Sequence, residues 1–97
     1  MDFSFVEEEE RKLNKIIRDI EIDLQKLNKV KDKQLGRKGL NLIYIKMRMA
    51  VEFYKVCRME IIELTKLEQM PRFQKLKLCR EQLDVFLNDL KLLEGNF

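Results

Sequence analysis

Histidine and tryptophan are absent from this 97-residue chain, proline occurs once, glycine three times and cysteine twice. Each scarcity excludes something. Without histidine there is no imidazole general base, no usual nitrogen ligand for zinc and no Ser-His or Cys-His nucleophile. Two cysteines alone fall short of a four-ligand zinc site and give no secreted disulfide framework. Gly36 and Gly39 match neither pattern of Gly-rich phosphate loop. No segment approaches the ~20 uninterrupted apolar residues that span a bilayer, and no basic stretch followed by an apolar run opens the chain. Carboxylates are plentiful, but on a charged helix surface they lack the sheltered cleft that acid and base chemistry needs. Together these absences predict a non-enzymatic protein with no cofactor, no metal and no small-molecule substrate. They also predict a reducing intracellular setting, cytoplasmic or nuclear, with Cys57 and Cys79 as free structural thiols.

What is present is helical. Apolar residues make up 45% of the chain and charged residues 38%, the balance of long amphipathic helices and not of loop-rich or disordered chains. Twenty bases against seventeen acids leave a charge of +3, too small to predict a nucleic-acid partner by itself. The expected architecture is all-α: one domain over residues 1–97 forming an antiparallel, up-down-up three-helix bundle with long, coiled-coil-like helices. The periodicity predicts helix 1 over about 5–30, a basic loop over 31–39, helix 2 over about 40–68 and helix 3 over about 71–94.

Helix 2 organises the reading because it carries apolar residues on two rows. Ile43, Met47, Ala50, Tyr54, Cys57, Ile61 and Leu64 form one; Leu42, Ile45, Met49, Phe53, Val56 and Met59 form the other. Both rows are expected to be buried, one against each neighbour, which makes this the middle helix. The methionines follow the rows and read as core filling, and Tyr44 and Tyr54 as core-edge residues. Helix 1 has one narrow seam through Leu13, Ile17, Ile20, Leu24 and Leu27, with Ile16 and Val30 beside it, which fits a bundle core or an intermolecular coiled coil. Pro71 suits the first turn of a helix, so the second break falls at Gln69 and Met70, before a seam through Leu76, Cys79, Leu83, Phe86, Leu90 and Leu93.

Charges give a check on direction. In an up-down-up bundle the acidic run Glu7 to Glu10 faces Arg72, Lys75, Lys77 and Arg80, while the basic loop sits near Asp84, Asp89 and Glu94. Opposite signs meet at both ends.

Two features point outward. Leu78, Val85 and Leu92 recur every seven residues about 130° from the seam of helix 3, as an apolar ridge on the outside of the bundle. That ridge predicts a partner: the chain reads as a helical protein–protein interaction module, an adaptor or assembly subunit, or as a self-associating oligomer. Lys26, Lys29, Lys31, Lys33, Arg37 and Lys38 surround the single acid Asp32 and form a candidate anion-binding cluster. The alternative they support is a nucleic-acid-associated subunit. In outline the chain also resembles several long-helix modules, among them spectrin-like repeats, tubulin-chaperone bundles and the hairpins that bind Rho-type GTPases. That resemblance is one of architecture and implies, as a further alternative, a small-GTPase-binding or chaperone-type role.

Overall fold

A computed structural model describes residues 4–65 and 71–97 and contains three α-helices: α1 over Ser4–Leu27, α2 over Lys33–Thr65 and α3 over Pro71–Glu94. All three pack against one another as an all-α three-helix bundle measuring 51 × 19 × 15 Å. The long dimension is that of α2, whose 33 residues rise ~50 Å at about 1.5 Å each.

Side-chain pairs fix the directions. Lys46, early in α2, meets Asp23, late in α1, at 2.5 Å, so these two helices are antiparallel. Tyr44 of α2 hydrogen-bonds to Glu94 at the far end of α3, which is therefore antiparallel to α2. Arg72 opens α3 and reaches Glu7 and Glu10 in the first turns of α1, at 3.5 and 2.5 Å. The bundle is up-down-up.

The core is continuous along the length. Leu13 and Ile20 from α1, Ile43 and Ile61 from α2, and Leu83 and Leu90 from α3 are sealed from solvent. Each such side chain contributes roughly 1.5–3 kcal/mol by leaving water, before the entropy cost of ordering it. The α1 seam runs through Ile16 in place of Ile17, which is half-buried. Leu13, Ile16, Ile20, Leu24 and Leu27 of α1 are all buried inside the bundle.

The first connection corrects the sequence reading. α1 ends at Leu27, not near residue 30: the Lys29 and Val30 amides turn back onto the Lys26 and Leu27 carbonyls, each at 3.1 Å, tightening the last turn. The loop expected over 31–39 spans only residues 28–32, and α2 starts at Lys33. Asp32 caps it. Its carboxylate accepts the Leu35 amide at 3.0 Å and its carbonyl accepts the Gly36 amide at 2.9 Å. Both glycines therefore lie inside the helix, where glycine costs about 1 kcal/mol relative to alanine. Side chains of the neighbouring segments lie close against both. A Cβ on Gly39 would stand 2.9 Å from Leu27 Cδ1, and one on Gly36 would overlap the Phe97 ring.

The second correction concerns α2. Its row through Ile43, Met47, Ala50, Cys57 and Ile61 is buried as expected, but Leu42, Ile45, Met49 and Met59 of the other row are exposed. Two neighbours in a three-helix bundle share one face of the third helix instead of covering opposite sides. α1 and α3 both pack around the Ile43–Ile61 row, so those four side chains of the far row face water while Phe53 and Val56 of the same row are half-buried.

Pro71 is the first residue of α3, as its fixed φ and missing amide hydrogen favour. The expected break at Gln69 and Met70 lies outside the described residues. Among those residues no helix is long and apolar enough to cross a membrane.

Candidate interaction surfaces

Helix α1 lies between two grooves, each edged by an apolar row of its neighbour. On the α3 side, Leu78, Val85 and Leu92 are 64, 52 and 77% exposed, so the outward ridge read from the sequence is uncovered. Leu78 edges a depression of 220 Å³ shared with Glu10, Asn14 and Lys75. Leu92 edges another, of 250 Å³, shared with Leu24, Asn28 and Asp89. Phe5, in the first turn of α1, is exposed as well.

On the α2 side, Leu35, Leu42, Ile45 and Met49 are exposed along the neighbouring groove. One depression of 160 Å³ lies among Lys26, Val30, Leu35 and Leu42. A second, of 290 Å³, lies among Lys12, Lys15, Ile16, Met49 and Phe53. Sequence reasoning missed this surface by assigning the row to the interior. The available signal was the spacing of Leu35, Leu42, Met49 and Val56, a seven-residue recurrence opposite a seam that was already complete.

The six candidate anion-binding residues are all exposed, but they diverge. Lys26 closes α1 and lines the α1/α2 groove, Lys29 and Lys31 lie in the connection, and Lys33, Arg37 and Lys38 belong to the first two turns of α2. Arg37 turns toward the end of α3, where its Nε donates to the Phe97 carbonyl at 2.9 Å. The charge pairing expected between the basic loop and Asp84, Asp89 and Glu94 is not what forms. Asp84 sits 3.7 Å from Arg80, and Glu94 accepts from Tyr44. At the opposite end, among the described residues, Arg72 is the one of the four expected bases of α3 that ion-pairs with the acidic run. Lys77 lies 5.2 Å from the Phe73 ring centre, and Arg80 lies 5.7 Å from that of Tyr54.

Four titratable groups among the described residues depart from their ordinary values. Burial pushes the Cys57 thiol up to about 12, with the Glu10 and Glu9 carboxylates adding to the effect. Cys79 is raised by burial and by Glu10, and its Sγ lies 3.7 Å from Asn14 Oδ1. Both are free thiols, and at neutral pH both stay protonated, the unreactive form. Burial also raises Glu10, against the Arg72 guanidinium that favours its charge. Tyr44 is raised by donating its hydroxyl proton to Glu94. Among the described residues no His, Cys, Asp or Glu are grouped to hold a metal ion, and no buried side-chain polar atom lacks a hydrogen bond.

No protein-family model, curated protein or solved structure is significantly similar to this chain.

Proposed function

We propose that this chain is a non-enzymatic helical interaction module, an adaptor or assembly subunit, that binds a protein partner through an exposed helix face. One observation carries the reading: Leu78, Val85 and Leu92 form an aligned, solvent-facing apolar row about 21 Å long, at 1.5 Å per residue, beside a groove with two depressions. Single exposed leucines are ordinary, whereas stacked ones edging a groove have the form of a helix-docking seam. The partner is either a different protein or a second copy packing ridge to ridge. Free thiols suit a reducing compartment, the cytosol or nucleus.

The alternative, a nucleic-acid-associated subunit using the basic cluster, we rank second, because Lys26 lines one groove and Arg37 bonds to the Phe97 carbonyl. The test is sedimentation equilibrium of the wild-type chain and of Val85→Glu, followed by partner capture with both. Val85 is exposed, so the substitution leaves helicity intact. Loss of the dimer or of a captured complex in Val85→Glu supports the ridge. Identical assembly and capture by the two proteins removes it.

A further inference from the structure

We propose that the α1/α2 face docks an acidic amphipathic helix from a protein partner. The inference rests on the reading of the chain as an interaction module, but on a different surface from the α3 ridge.

The floor is apolar and the right length. Leu42, Ile45 and Met49 are 51, 52 and 47% exposed, and they follow one another at steps of three and four on one side of α2. Leu35, seven residues before Leu42 and also exposed, extends the same side, so the stripe from Leu35 to Met49 runs ~21 Å at about 1.5 Å per residue. Two depressions lie along it, one beside Leu42 and one beside Met49. Seven residues, or ~10 Å of helix, separate those two side chains, which is the i to i+7 spacing of anchors on a docked helix.

The charges choose the partner. Lys12 and Lys15 line the larger depression and Lys26 the smaller one, while Lys29 lies in the connection just beyond α1. Lys15, Lys26 and Lys29 have no ion pair among the described residues. Two acids of this face are already engaged: Asp23 pairs with Lys46 at 2.5 Å and Glu52 with Lys55 at 3.4 Å. Asp19 remains beside the larger depression. The uncompensated charge is positive, so carboxylates flanking the apolar side of a docked helix complement it. A second copy of this face brings the same lysines toward its own and opposes like charges. An anionic bilayer satisfies the lysines but, being planar, leaves the depressions unfilled.

The experiment uses the full chain and a labelled synthetic helix of about 18 residues, with leucines at i, i+3, i+4 and i+7 and glutamates on both flanks. A control peptide carries lysine in place of every glutamate. Binding is read by fluorescence anisotropy. The glutamate peptide is expected to bind at least tenfold more tightly than the lysine peptide. Ile45→Glu and Lys15→Glu/Lys26→Glu are each expected to weaken it about tenfold, and Val85→Glu to leave it unchanged. Circular dichroism confirms that each variant stays helical, and Ile45→Lys separates loss of apolar contact from repulsion. Equal binding of both peptides, or no effect of the Lys15 and Lys26 reversals, overturns the proposal. So does a wild-type dimer split by Ile45→Glu, or binding to phosphatidylserine vesicles in the absence of peptide binding. Loss of peptide affinity in Val85→Glu assigns the binding to the α3 ridge and also overturns it.

Discussion

Gly36 lies beneath the aromatic ring of Phe97, at a distance where a single added Cβ overlaps the ring. This contact fastens the first turns of α2 to the chain just beyond α3, where the Asn96 and Phe97 amides turn back onto the Leu93 and Glu94 carbonyls and Arg37 holds the Phe97 carbonyl. It predicts strong coupling. Gly36→Ala gains helix propensity but displaces the ring, so its stability change in the wild type is near zero or unfavourable. In a Phe97→Ala background the clash is gone, and the same substitution stabilises by about 0.5–1 kcal/mol. Urea unfolding of the four proteins in the cycle measures the difference. Additive effects would show that Phe97 does not cover Gly36 in solution.

Ala50 sits at the middle of α2 with no exposure, in the buried row that both other helices share. A small residue there lets three helices approach closely. Ala50→Leu is expected to cost about 1–3 kcal/mol by overpacking, although leucine is a good helix former. The same substitution at exposed Met49 is expected to change stability by less than about 0.5 kcal/mol, since surface positions tolerate such changes. Thermal unfolding of both variants checks the contrast.

The fold was legible because periodicity speaks directly to packing. The Ile43 row, the Leu83 to Leu93 seam and the Pro71 start can each be read from spacing alone. The start of α2 was not, since Gly36 and Gly39 read as a turn until Leu27 and Phe97 are seen occupying the space that side chains would fill. Asp32 was visible in sequence, but its choice between loop residue and helix cap depended on what followed. The uncovered row of α2 was misplaced for a geometric reason. Periodicity shows that Leu42, Ile45 and Met49 share a side, not whether a neighbour covers that side. The α3 ridge could be placed because its angle to a complete seam exceeded what one bundle can bury.

The two thiols predict a graded reactivity. Cys57 is sealed and pushed up to about 12, whereas Cys79 is half-buried and raised by a smaller burial and by Glu10. At pH 8 a thiol reagent is expected to modify Cys79 slowly and Cys57 only on global unfolding. The linkage has a definite sign. Unfolded Cys57 ionises near its ordinary 9.0 and folded Cys57 only near about 12, so between these values the unfolded state binds fewer protons and stability falls as pH rises. Below pH 9 the contribution is flat. Cys57→Ala removes this part of the alkaline slope, whatever its offset from the lost packing, and urea unfolding from pH 8 to 11 reads the slope. An unchanged slope would show that the thiol is not held protonated by the fold.

Arg72 bridges Glu7 and Glu10 where α3 begins beside α1, and its value depends on pH through Glu10. Burial raises the Glu10 carboxyl above its ordinary 4.5, and the guanidinium works against that rise. Removing it in Arg72→Met raises the folded carboxyl further while the unfolded one is unchanged. The unfolded state then releases its proton first as pH climbs through 4.5, and the variant loses stability over that window relative to the wild type. Both ionic side chains are about a quarter exposed, at 26 and 23%, so solvent screens the pair and the expected loss at pH 7 is about 1 kcal/mol or less. At pH 4, with more of Glu10 protonated, the loss is smaller. Glu10→Gln abolishes the charge that needs the guanidinium, so Arg72→Met costs less in that background. Urea unfolding at pH 4 and pH 7 of the two single variants and the double variant resolves these contributions. An Arg72→Met loss equal at both pH values would mean that Arg72 acts through packing of its aliphatic stem and not through the carboxylates.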